Sequence, residues 1–139
     1  MMDDKMNRFI DNEDGTITDT ETGLMWSKDA NLSRTYKTWE QTLDYVNNLT
    51  ICSYSDWRLP TIKELMSLLD YGQYGPALPA GHPFINVQSS NYWSSTAVAS
   101  YQSYAWIVYM WDGIVSYDGK SFTRNYVCPV RSHVTGNKL

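Results

Sequence analysis

The sequence predicts an α+β fold in which two helices are segregated from small antiparallel sheets and a long loop. Three observations predict it. Strand-like runs punctuated by Asp-Gly turns lie near both ends, at Asp14-Gly15, Asp112-Gly113 and Asp118-Gly119. Between them stand two helix starts, Thr38 with Gln41 and Thr61 with Glu64. Gly72, Gly75, Pro76, Pro79, Gly81 and Pro83 then crowd Tyr71–Pro83, a density of breakers that marks a long loop over the surface. There is no strand–helix–strand alternation, phosphate loop or internal repeat. A chain of 139 residues suits one domain, read as 8–132, with 1–7 a disordered lead and 133–139 a flexible tail.

Phe9-Ile10, Thr16–Asp19 and Leu24–Trp26 read as three strands joined at Asp14-Gly15 and at Glu21-Thr22-Gly23. The acidic run Asp11–Asp14 lacks the regular oxygen spacing and closing Glu of a calcium loop, so it reads as a plain turn. Residues 28–37 are polar and loop-like. Trp39, Leu43, Val46 and Leu49 form one apolar stripe, a helix from Trp39 to Leu49 with the indole in the core.

Ser55–Leu65 is the organising stretch. Trp57 and Leu59 alternate with Asp56 and Arg58, Pro60 stops the strand, and Thr61 caps a helix from Ile62 to Leu69. Asp56, Trp57, Arg58 and Trp39 are assigned to structure, with Asp56 and Arg58 as an ion pair beside a buried Trp. The chain ends in strands: Tyr92–Thr96, Ala105–Trp111, Ile114–Tyr117 and Tyr126–Arg131. Pro129 places the last at an edge or bulge. Both faces of Ala105–Trp111 are apolar. If the Trp106 face meets the core, Tyr109 and Trp111 lie outward.

Net charge is -4, which argues against nucleic acid as a partner. Eight of the 15 acids fall in residues 1–29, a solvated face. No apolar run approaches a membrane helix, so no membrane insertion is expected. The N-terminus lacks the basic-then-apolar layout of a signal peptide, and the doubled Met reads as an added start; a mature exported form would look the same. No HExxH, GxSxG or CxxC spacing occurs, and no metal or cofactor is expected. His82 stands alone in the long loop and reads as exposed. Cys52 and Cys128 are too few for a disulfide scaffold; they form one bridge or stay reduced.

The positive signal lies between Asn91 and Tyr126, which hold nine of the chain's 11 tyrosines and 6 tryptophans, many serines and few charges. Rigid aromatics with small polar groups are the palette of a binding surface. The ligand-binding candidates are Tyr101, Gln102, Tyr104, Tyr109, Trp111, Asp112, Tyr117, Arg124, Asn125 and Tyr126.

Arg8–Asn12 with Asp14–Thr16, Thr20–Trp26 (TETGLMW), Ser55–Leu65 (SDWRLPTIKEL), Tyr92–Thr96 (YWSST), Ala105-Trp106, Asp112-Gly113 and the ending Val127–Arg131 resemble a bacterial family. It is the Lcl C-terminal-like domain, named for the C-terminal domain of a collagen-like protein. The resemblance implies a C-type-lectin-like fold and a module of an extracellular, cell-surface or periplasmic protein. A relative is associated with glycan binding and trimers. Some members carry a disulfide at positions resembling Val46 and Pro129, so that bridge is absent here. The resemblance offers Cys52 and Cys128 as a substitute. The expectation is a non-catalytic module that binds glycan or surface protein. The alternative is a self-assembling homo-oligomer. A cysteine-pair enzyme related to the formylglycine-generating class is a third reading, which the short chain disfavours. The Glu-Pro-Asn motif of calcium-dependent sugar binders is missing.

Overall fold

The computed structural model describes residues 8–132; the expectations for 1–7 and 133–139 lie outside them. The elements run β1 (Phe9–Asp11), β2 (Thr16–Asp19), β3 (Leu24–Ser27), α1 (Trp39–Asn47), α2 (Ile62–Met66), β4 (Asn91–Val98), β5 (Tyr101–Tyr109), β6 (Ile114–Gly119) and β7 (Val130–Ser132). Strands β1-β2-β3-β7 form one antiparallel sheet and β4-β5-β6 a second. The fold is therefore α+β, with two small antiparallel sheets and two helices.

Both helices start where the capping boxes place them. Thr38 accepts from Gln41 N–H while Gln41 accepts from Thr38 N–H, and Thr61 and Glu64 do the same. Both stop earlier than the apolar stripes predict. The final strand is also shorter than predicted. Residues 125–128 leave the ladder to run beside β4, where Trp93 N–H donates to the Tyr126 carbonyl at 2.9 Å, before β7 joins β3. β7 is the last strand of its sheet, as Pro129 requires, but Arg58 pairs with its outer side.

In the three-stranded sheet, β4 and the middle of β5 are buried on both faces, while β6 is largely exposed. Tyr92, Val108 and Met110 join Ile17, Trp26, Leu65, Leu68 and Val130 in one cluster. Trp93, Ala105 and Ile107 join Val46, Leu59 and Val127 in another, against Trp39 and Leu43 of α1. Neither face of β5 is simply outward, because α1 covers one and the first sheet with α2 covers the other. The long loop is also more than a surface strap. Ala77 and Leu78 are buried, and Leu78 and Phe84 enter the first cluster. His82 is half-buried rather than exposed. Its Nδ1 accepts from Phe84 N–H, and burial lowers its pKa.

A buried ion pair fixes the start of the fold. Arg8 donates twice to Asp19, at 2.9 Å each, and once to the Ser67 carbonyl at 2.7 Å, which ties β2 to the end of α2. The acidic turn is satisfied locally: Asp11 meets Lys28 at 2.8 Å, and Asp14 accepts from Thr16 N–H and Oγ1.

Asp56 and Arg58 do not pair with each other. They lie two residues apart, yet each takes its own partner, Asp56 pairing with Arg131 at 2.6 Å and Arg58 with Glu64 at 2.7 Å. Trp57 is buried between them, its Nε1 donating to the Tyr54 carbonyl at 3.0 Å. The bridge between Cys52 and Cys128 is absent. Cys52 lies exposed in the turn at Ile51–Tyr54 and donates to Asp14, while Cys128 is buried near the Ser27 carbonyl.

Trp57→Ala is expected to destabilise by about 3–5 kcal/mol, read by urea denaturation. Glu64 is held below the usual carboxylate range by Arg58. A depressed carboxylate gives stability that is full above its unfolded value of about 4.3 and lost as pH falls through the folded one. Denaturation midpoints taken from about pH 6 down to about pH 3 should therefore fall less steeply for Glu64→Gln than for the parent.

Candidate functional site

The β5–β6 hairpin carries the candidate residues, and its register decides which of them meet. Trp106 faces Tyr117 and Tyr104 faces Gly119, so Tyr104, Trp106 and Tyr117 stand on one face. Tyr117 meets Tyr104 and Trp106 edge-on, each at 5.6 Å. Gly119 leaves a gap opposite Tyr104, and the Phe122 ring fills it, 6.0 Å from Tyr104. A Cβ on Gly119 would sit 2.1 Å from that ring, so only glycine admits it. Tyr101 completes the group, 6.3 Å from Tyr104.

Tyr101, Tyr104 and Tyr117 line an open cleft of about 180 Å³. Tyr101 is 63% exposed, Tyr117 49% and Phe122 71%. Edge-to-face packing fixes the rings against one another and leaves ring faces to solvent. Gln102 and Ser103 are exposed beside the cleft, and Gln102 Nε2 donates to the Ala99 carbonyl at 3.2 Å. Arg124 is exposed beyond Phe122.

The remaining candidates lie elsewhere. Tyr109, Trp111 and Asp112 sit at the opposite end of β5, about 25 Å along the strand from Tyr101. There Trp111 packs on Tyr74 at 5.5 Å, and Gly75 crosses the indole so closely that a Cβ would lie 2.5 Å from it. Asp112 accepts from Ile114 N–H and closes the hairpin turn. Asn125 is buried; its Nδ2 donates to Asp118 at 2.9 Å. Tyr126 is half-buried between Tyr36 and Tyr92. Of the structural assignments, Trp39 flanks the second cluster, with Nε1 donating to the Ser94 carbonyl and Lys120 4.2 Å over its ring.

Phe122, beside Tyr104, and Tyr74, beside Trp111, are not among the sequence candidates. Phe122 stands alone in the polar turn Lys120–Thr123, and a lone large apolar residue beside a glycine was its available signal. An apolar void among Leu65, Leu78, Phe84, Tyr92 and Cys128 measures about 10 Å³, room for one water at most, and belongs to the core.

A family model of the Lcl C-terminal domain matches residues 15–131. The chain belongs to that family. No curated protein matches the chain. In this Lcl C-terminal domain the matched span runs from β2 into β7 and holds both capped helices and the whole tyrosine cleft.

Gly119→Ala should push the Phe122 ring off Tyr104 while the exposed ring swings aside. The expected result is a change in the ring-current shifts of Tyr104 by NMR, with stability altered by less than about 1 kcal/mol.

Proposed function

We propose that this Lcl C-terminal domain is a non-catalytic ligand-binding module of a bacterial exported or surface protein, and that it holds glycan on Tyr101, Tyr104 and Tyr117. The uncovered tyrosine cleft carries the reading. β4 and the middle of β5 are packed on both faces, so the exposed rings at this end of β5 lie beyond the core rather than in it. Sugar rings present apolar C–H faces between hydroxyls. Fixed aromatic rings match the first at low entropy cost, while tyrosine hydroxyls and Gln102 match the second. A protein surface is the other ligand class that this chemistry admits.

Two helices beside two small antiparallel sheets support the C-type-lectin-like character of the fold. The state of the thiols supports a role without catalysis. A cysteine nucleophile needs a lowered pKa. Here the Asp14 carboxylate raises that of Cys52, and burial pushes Cys128 up to about 12. Extracellular or periplasmic placement rests on the family resemblance, and the net charge of -4 disfavours nucleic acid. Single-site affinity near 1 mM corresponds to about -4 kcal/mol.

A glycan array followed by NMR titration tests the reading. Tyr104→Ala and Tyr101→Ala should each weaken a hit roughly tenfold or more, while Trp111→Ala leaves it unchanged and all three variants keep the parent fold by circular dichroism. Equal loss from Trp111→Ala, or none from Tyr104→Ala, would move the site elsewhere.

A further inference from the structure

β6 is the outer strand of its sheet and its outer edge is open. The register shows which main-chain groups face out. Lys120 N–H donates to the Ser103 carbonyl, so the alternate pairs Ala105 with Asp118 and Ile107 with Ser116 exchange the ladder bonds. Val115 and Tyr117 therefore point their N–H and C=O away from β5. The Gly119 carbonyl also faces out and is taken by Thr123 N–H at 3.2 Å. Among the described residues, no hydrogen bond from another segment reaches Val115 or Tyr117.

Sheet edges in lone proteins are blunted by lysine, proline or a bulge. Ile114-Val115-Ser116-Tyr117 has none of these, and its pairing with β5 is unbroken, whereas β4 carries register shifts. Ile114 is 57% exposed and Ser116 is exposed.

We propose that β6 pairs antiparallel with β6 of a second copy of this chain, about a two-fold axis at Ser116. In that register Val115 and Tyr117 of one copy exchange their free N–H and C=O groups with Tyr117 and Val115 of the other. Ile114 falls opposite Asp118, so no like charges meet. The self-complementary edge, in which Val115 and Tyr117 meet Tyr117 and Val115 with no like charges opposed, favours a second copy over an unrelated strand. The axis runs perpendicular to the sheet, so both tyrosine clefts open on one side, and a ligand that reaches both gains avidity. The inference rests on the strand edge and holds whether or not the cleft binds glycan.

Sedimentation velocity on the parent, from about 10 µM to about 1 mM, should show a monomer–dimer equilibrium. Ser116→Lys sets two ammonium groups opposite each other and should weaken the dimer roughly tenfold or more, with the monomer fold unchanged by circular dichroism. In a Cys52→Ser background, Ser116→Cys should form a disulfide-linked dimer under mild oxidation. A non-hydrogen-bonded antiparallel pair spaces its Cα atoms about 4.5 Å apart, within the range a disulfide spans. A monomer at every concentration, a dimer indifferent to Ser116→Lys, or a monomer that captures an extended peptide along β6 would each overturn the proposal.

Discussion

Arg58 joins the parts of this fold. Its main chain exchanges hydrogen bonds with Val130 at 2.8 and 3.0 Å, extending the first sheet beyond β7. Its guanidinium grips both oxygens of Glu64, at 2.7 and 2.8 Å. The same carboxylate accepts from Thr61 N–H at 2.9 Å and so caps α2. Two residues further on, the Pro60 carbonyl accepts from Ser95 N–H and Ile62 N–H donates to Thr96, which binds the stretch to β4. Within a few residues the chain therefore meets both sheets and a helix. Removing the guanidinium would leave Glu64, itself mostly sheltered, without its charged partner while the cap still needs it.

That junction dictates where a surface can form. Once the two sheets are clamped, β4 and the middle of β5 are covered by α1 on one side and by the first cluster on the other. The cover ends before Tyr101–Tyr104, the outer end of β5, where the burial pattern turns from buried to exposed. An aromatic side chain there cannot enter either core. Tyr104, Trp106, Tyr117 and Phe122 pack edge-on against one another instead, a small aromatic layer that supports an exposed face.

Features set by neighbours in sequence were legible. Thr38 with Gln41 and Thr61 with Glu64 cap helices because a capping box needs only its own turn. Asp14-Gly15 and Asp112-Gly113 placed hairpin turns for the same reason, whereas Asp118-Gly119, read as a third turn, lies inside β6 because it pairs with Tyr104 and Ala105. Features set by distant partners were not. Asp56 and Arg58 look like a pair in sequence, yet the fold brings Arg131 to the first and the capped turn of α2 brings Glu64 to the second. The helices end early because their last turns tighten to three-residue bonds, Leu49 N–H to the Val46 carbonyl and Leu69 N–H to the Met66 carbonyl. The tyrosines and tryptophans of 91–126 read as one surface, but strand length separates Tyr101 from Tyr109, and the three-layer packing pulls Tyr92 and Trp93 into opposite cores. The cleft was half-legible: Tyr101, Tyr104 and Tyr117 stood among the candidates, whereas Phe122 depends on a gap that only the register with Gly119 reveals.

Asn125 shows how a residue outside the cleft governs it. Its side chain holds Asp118, the neighbour of Tyr117, and its main chain exchanges bonds with Lys37 in the loop before α1. The end of β6 is thus tied to the segment that runs on to β7 and Arg58. A loosened Asn125 would free Asp118, shift Tyr117 against Tyr104 and change the cleft without touching a ligand. Loss of binding on altering Asn125 would then report on the position of Tyr117, while loss on altering Tyr104 would report on contact. The buried amide and the exposed ring act on the same surface through different links, one by fixing the strand and one by meeting what binds there.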